Sequence, residues 1–169
     1  MAMTARWTIA ATLAALACLG CDRTHESNPD VKSIPKVMVA YKSFENAWEK
    51  EDVAAAIALF DADAVVFDPV PPGRFEGTDA IRGWIAGSFE ALDDISIETS
   101  RMRLQVVGPA AWITAHYVFT ATQGGKPARF EGDMTMNMLR DDKDTWRLLV
   151  FHASHLPPPM PAEAPVNPA

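Results

Sequence analysis

At Ile95 the spacing of apolar residues switches from a helical repeat to alternation, and this switch constrains the fold more than any other feature of the chain. Ahead of it, Val37, Tyr41, Phe44 and Trp48 fall at i, i+4, i+7 and i+11, one stripe of a helix that Pro35 can open. Asp52 is placed to cap a second helix over 53–60, and 64–67 reads as a short buried strand that Asp68-Pro69 ends. Pro71-Pro72-Gly73 makes a turn. Thr78 then caps a third helix over 79–92, with Ile81, Trp84, Ile85 and Phe89 on its apolar face. Beyond the switch, strands are expected at 96–107, 110–122, 128–140 and 146–155, separated by turns at Gly108-Pro109, Gln123-Gly124-Gly125 and 141–144. Connections this short imply antiparallel neighbours. Helices followed by a long meander can bury their apolar faces only against one another. The expectation is therefore an α+β fold in which a cone-shaped, curved antiparallel sheet packs against three N-terminal helices around a cavity.

The two ends read differently. Arg6 precedes an uncharged, mostly apolar run over 7–20, the pattern of a secretory signal peptide. About 14 helical residues span roughly 21 Å, short of the ~30 Å hydrocarbon core, which argues against a permanent transmembrane helix. Leu19-Gly20-Cys21 resembles a bacterial lipobox, with Cys18 where an aliphatic residue is usual. This assigns 1–20 to the signal peptide and Cys21 to lipidation, hence an exported cell-envelope lipoprotein; a soluble secreted or periplasmic form cleaved after Ala17 is the alternative. Residues 21–34 read as a flexible tether, 35–156 as the folded domain, and 157–169 as a Pro-rich disordered tail.

Composition closes several function classes. No Cys lies beyond position 21, so the domain has no disulfide, thiolate metal site or cysteine nucleophile. With 22 acidic against 15 basic residues, a net charge of −7 and no run of Lys or Arg, nucleic acid is not an expected partner. An acidic body is also repelled by an anionic membrane, leaving the N-terminal lipid as the expected membrane contact. The 49% hydrophobic content and five Trp place the chain among folded domains.

Four segments carry a resemblance: 47–53, 59–69, 75–82 and 146–154, which read AWEKEDV, LFDADAVVFDP, FEGTDAIR and WRLLVFHAS. Together they resemble the SnoaL-like branch of the nuclear-transport-factor-two-like superfamily, a cystatin-like half-barrel that includes ketosteroid isomerases, polyketide cyclases, dehydratases, ligand binders and oligomerisation modules. The resemblance implies a small apolar ligand and a homodimer, and it marks Asp68 as the position of the isomerases' general base. Phe44 stands where those enzymes keep a tyrosine, so that hydroxyl is missing, with Tyr41 one turn earlier. Glu131 stands near their protonated acid.

The residues themselves leave alternatives open. Asp68 is either a proton shuttle at the mouth of an apolar cavity or the cap of a turn before proline. His116 and His152 are candidate acids, bases or ligand anchors, and also ordinary sheet histidines; the latter resembles a histidine in the association domain of calcium/calmodulin-dependent kinase. His155 and His25 are expected in solvent. Four scattered His lack the spacing of a metal site, and no nucleotide fingerprint is present, so neither metal nor cofactor is expected. Strand 128–140 splits by parity: Phe130, Gly132, Met134, Met136 and Met138 on the face toward the helices, Glu131 and Asp133 on the other. The expected pocket lining is Tyr41, Phe44, Trp48, Phe60, Phe67, Trp84, Trp112, Met134, Met136 and Phe151. Two functions compete: a small-molecule pocket, with or without isomerase- or cyclase-like acid/base chemistry at Asp68, and a non-catalytic dimerisation or accessory module of the envelope.

Overall fold

The helical stripe of the N-terminal segment buries its full length: Val37, Tyr41, Phe44 and Trp48 are each at most 6% exposed. They belong to α1 (Ile34–Glu49), in a computed structural model that describes residues 30–156. The expected signal peptide over 1–20, Cys21 and the expected Pro-rich tail over 157–169 lie outside the described residues. Of the expected tether, Val31–Ser33 forms a 3-10 turn; the Asp30 N–H donates to the Val106 carbonyl at 3.1 Å, docking the chain on the sheet. Asp52 caps α2 (Val53–Ile57) by accepting from the Ala55 N–H at 2.9 Å. The helix stops there, short of the expected 60, because Phe60 already pairs in β1 (Phe60–Phe67). A short strand without sequence signal, β2 (Arg74–Glu76), follows the Pro-Pro-Gly turn. After it comes α3 (Gly77–Ala91), which buries Ile81, Trp84 and Ile85.

The remaining strands are β3 (Asp93–Val107), β4 (Ala110–Gln123), β5 (Lys126–Arg140) and β6 (Trp146–His155), paired antiparallel in succession. All six form one sheet in the order β2-β1-β6-β5-β4-β3. The expected cone-shaped, wholly antiparallel half-barrel is thereby corrected. β1 runs parallel to β6, so the sheet is mixed, and β2 and β3 are its two edges, so it stays open. Turn length fixes direction only between consecutive strands. The link from β1 to β6 runs through α3 and four strands, which is ample for a parallel pairing that no local turn announces.

One face of the sheet meets the helices, and the core lies between them. Val66, Ile113, Met136, Met138 and Leu148 are at most 2% exposed. The methionine row of β5 points into this layer, and the β4–β5 register runs unbroken from 110↔139 to 123↔126, so no bulge turns Glu131 inward. Other strands do shift register: β1 between Phe60 and Val65, β3 between Asp93 and Ser96 and again between Ser100 and Arg103, and β6 opposite Asn137 and Met138. The shift near Arg101 in β3 and the one in β6 each invert which residues face the helices.

Candidate functional site

An apolar pocket of about 120 Å³ lies between the helices and the inner face of the sheet. Its walls are aromatic. Phe44 and Trp48 enter from α1, Trp84 from α3, Phe119 from β4, Phe130 from β5 and Phe151 from β6. The rings hold one another at fixed angles: Trp48 lies 5.2 Å from Trp84 and edge-on to Phe119 at 6.1 Å, while Phe151 lies 5.3 Å from Phe44 and 5.9 Å from Trp84. Such tilted and edge-on contacts resist collapse because each ring is wedged by its neighbours. The Trp48 indole nitrogen is buried without a hydrogen-bond partner among the described residues.

The polar groups of the lining are few, chiefly Asp68, Tyr117, His155 and Ser88. Asp68 follows β1, and the turn it opens is held by its own atoms: Oδ1 accepts from the Val70 N–H at 2.8 Å, and its N–H donates to the Gly73 carbonyl at 3.3 Å. Desolvation by the pocket raises the Asp68 pKa above the usual carboxylate value; the Val70 N–H and the nearby His155 oppose that rise without cancelling it. Burial also pushes the Tyr117 phenol up to about 12, and the negative charges of Asp68 and Asp133 push the same way. The Tyr117 hydroxyl donates to the Ser154 carbonyl at 3.3 Å. His155, the last residue of β6, stacks on Phe130 at 5.4 Å with the planes 24° apart.

Of the ten residues expected to line a pocket, the structure brings Phe44, Trp48, Trp84, Met134 and Phe151 together there, along with Asp68. It places the other five elsewhere. Tyr41 is wholly buried between α1 and β3, its hydroxyl bonded to Glu45 and Thr99, so it does not supply the hydroxyl missing at Phe44. Phe60 and Met136 are packed in the core. Phe67 and Trp112 point to the opposite face, because Val66 and Ile113 take the inward positions of their strands. There Phe67 meets His152 edge-on at 6.1 Å and the Arg74 guanidinium at 5.3 Å.

Both candidate catalytic histidines stand on that outer face, away from the pocket. His116 lies between two carboxylates, Nε2 at 3.1 Å from Glu131 and Nδ1 at 3.2 Å from Asp133. His152 is directed outward by the β6 bulge, which in turn brings His155 to the pocket. Tyr117 and Ser88 are polar lining residues that the sequence did not single out, and His155, expected in solvent, is exposed but also borders the pocket. Tyr117 shares the inward parity of Ile113 and Ala115, a signal present in the sequence; nothing local announces His155. Among the described residues no three His, Cys, Asp or Glu side chains gather as a metal site requires, and no helix is long and apolar enough to cross a membrane.

The model of the SnoaL-like domain matches residues 37–159, which spans both helical and sheet layers. The chain belongs to the SnoaL-like domain family. Its fold is shared with solved structures of low sequence identity. A ketosteroid isomerase-like protein from Erwinia carotovora atroseptica is 18% identical, with 76% of this chain and 99% of that one covered at a TM-score of 0.67. A candidate dehydratase of the NTF2-like family from Streptomyces avermitilis is 19% identical, covering 74% and 97% at 0.67. An NTF2-like protein of unknown function from Pseudomonas putida is 17% identical, covering 75% and 88% at 0.64. Among curated proteins none matches this chain. At such identities the SnoaL-like fold is shared, and function is argued from this chain's own site.

Proposed function

We propose that this SnoaL-like protein binds a small apolar molecule in the pocket between helices and sheet and carries out acid/base chemistry on it at Asp68. The observation that carries the reading is a single carboxylate in a lining that is mostly aromatic and aliphatic. A desolvated carboxylate is a stronger base than an exposed one, and the shift works in that direction here. Asp68 would take a proton from the bound molecule and return it elsewhere, as an isomerase or cyclase requires. His155 is near enough to Asp68 to influence its charge. Residues 1–20 and Cys21 support export and lipid attachment as the setting of this activity.

The test is Asp68→Asn, which keeps the acceptor for the Val70 N–H and removes the base. Turnover of a substrate found by screening small ring compounds should fall by about 10²-fold or more while the fold persists. Unchanged turnover would remove Asp68 from the chemistry. A second reading, dimerisation at the envelope, is favoured by the outer face, where Trp112 and Leu139 are 36% and 38% exposed.

A further inference from the structure

We infer that the ligand of this pocket is a single-ring molecule bearing one hydroxyl that donates a hydrogen bond, as a phenol does. The inference rests on the pocket reading above and names the class of molecule that fits. Size comes first. An apolar cavity of roughly 150 Å³ holds one benzene ring, so about 120 Å³ is room for about one ring. The flat, tilted faces of Trp48, Trp84 and Phe151 suit an aromatic or flat alicyclic ring better than a flexible chain.

The polar groups then set the chemistry of the ligand's polar end. Asp68 Oδ1 is occupied by the Val70 N–H, and no hydrogen bond among the described residues uses Oδ2. The Tyr117 hydroxyl has its hydrogen directed at the Ser154 carbonyl, leaving its lone pairs. Both groups therefore offer acceptors, as does Ser88, whose hydroxyl donates to the Trp84 carbonyl at 2.9 Å, while His155 is exposed and stacked on Phe130. A ligand whose oxygen only accepts, such as an ether, would confront acceptors with an acceptor, whereas a hydroxyl supplies the missing hydrogen. Burying an oxygen there without that bond carries a desolvation cost with no return.

The experiment titrates the full chain with four probes, read by the quenching of tryptophan fluorescence: 4-methylphenol, toluene, 4-methylanisole and 2-naphthol. The phenol is expected to bind at least about tenfold more tightly than each of the other three. Asp68→Asn and Tyr117→Phe should each erode the preference for phenol over toluene while leaving toluene's affinity nearly unchanged, which separates loss of the hydrogen bond from loss of the fold. If 4-methylanisole or toluene matches the phenol, the donor requirement is overturned; if 2-naphthol binds as well or better, the size limit is. In both cases the pocket reading stands. Binding of none of the four, together with no uptake of larger apolar dyes, would overturn the pocket reading itself.

Discussion

Asp68 sits where burial works against its own charge, and that conflict has a thermodynamic consequence besides the catalytic one. Its pKa in the folded chain is raised above the ordinary 3.8, so the folded state holds its proton more tightly than the unfolded state does. Stability therefore falls as pH rises from 3.8 through the raised value, and the loss is complete above it. Asp68→Asn removes a charge that the fold pays for, so the variant should be more stable than the wild type at pH 7. The gain should be much smaller near pH 3, where the carboxyl is mostly protonated in the folded and the unfolded state alike. Paired urea denaturation curves at the two pH values measure this, and a variant less stable at pH 7 would refute it. Gly132 is constrained in another way. A methyl group on its Cα would lie 1.6 Å from the Ser154 carbonyl oxygen on the neighbouring strand, with no flexible side chain there to yield. Gly132→Ala should destabilise the domain by more than about 2 kcal/mol in the same assay; a change under about 0.5 kcal/mol would show that β5 and β6 can separate at little cost.

At the scale of the elements, bulges decide which side chains reach the pocket. In β3 the inward set runs Ile95, Ile97, Thr99 and then, beyond the bulge, Leu104 and Val106. Arg101 holds this bulge with φ at 52°, a conformation that costs a non-glycine residue about 1 kcal/mol. Arg101→Gly is expected to leave the fold intact and raise its stability by about 0.5–1 kcal/mol, whereas Arg101→Val should lower it by at least 1 kcal/mol or so. Thermal unfolding of the pair checks the sign, and a destabilised glycine variant would mean the Arg101 side chain matters more than its backbone. The bulges also explain what the sequence could and could not disclose. The stripe Val37-Tyr41-Phe44-Trp48, the Asp52 cap, the outward Glu131 and the four long strands were legible because period and turn residues are local. β2 is three residues long and left no pattern. In β6, Trp146 and Leu148 set one parity and Phe151 and Ala153 the other, with only Leu149-Val150 between them. Both residues are apolar, so nothing in the composition shows the inversion that turns His152 outward and His155 toward Asp68.

For the whole molecule, the helices cover one face of the sheet and, among the described residues, nothing covers the other. That face carries Trp112 and Val118 from β4, Thr135 and Asn137 from β5 and His152 from β6, with Phe67 beside them. Two of its carboxylates are held within the face: Glu131 and Asp133 flank His116, and Arg129 also pairs with Glu131. Two copies could therefore meet there with both carboxylates already hydrogen-bonded, despite a net charge of −7 on each chain. A two-fold arrangement would place each copy's Trp112 in a shared contact, and aromatic side chains of this kind contribute most to such interfaces. The pocket opens on the other side of the sheet, so dimerisation and ligand binding should be separable. Trp112→Glu would set a charge at the centre of the contact without touching the pocket. Sedimentation at micromolar concentration should show a dimer for the wild type and a monomer for the variant, with phenol affinity unchanged between them. A wild type that sediments as a monomer would remove the dimer. A dimeric Trp112→Glu variant would place the contact on the free edges β2 or β3, whose unpaired backbone groups are the other surface on which a second copy could assemble.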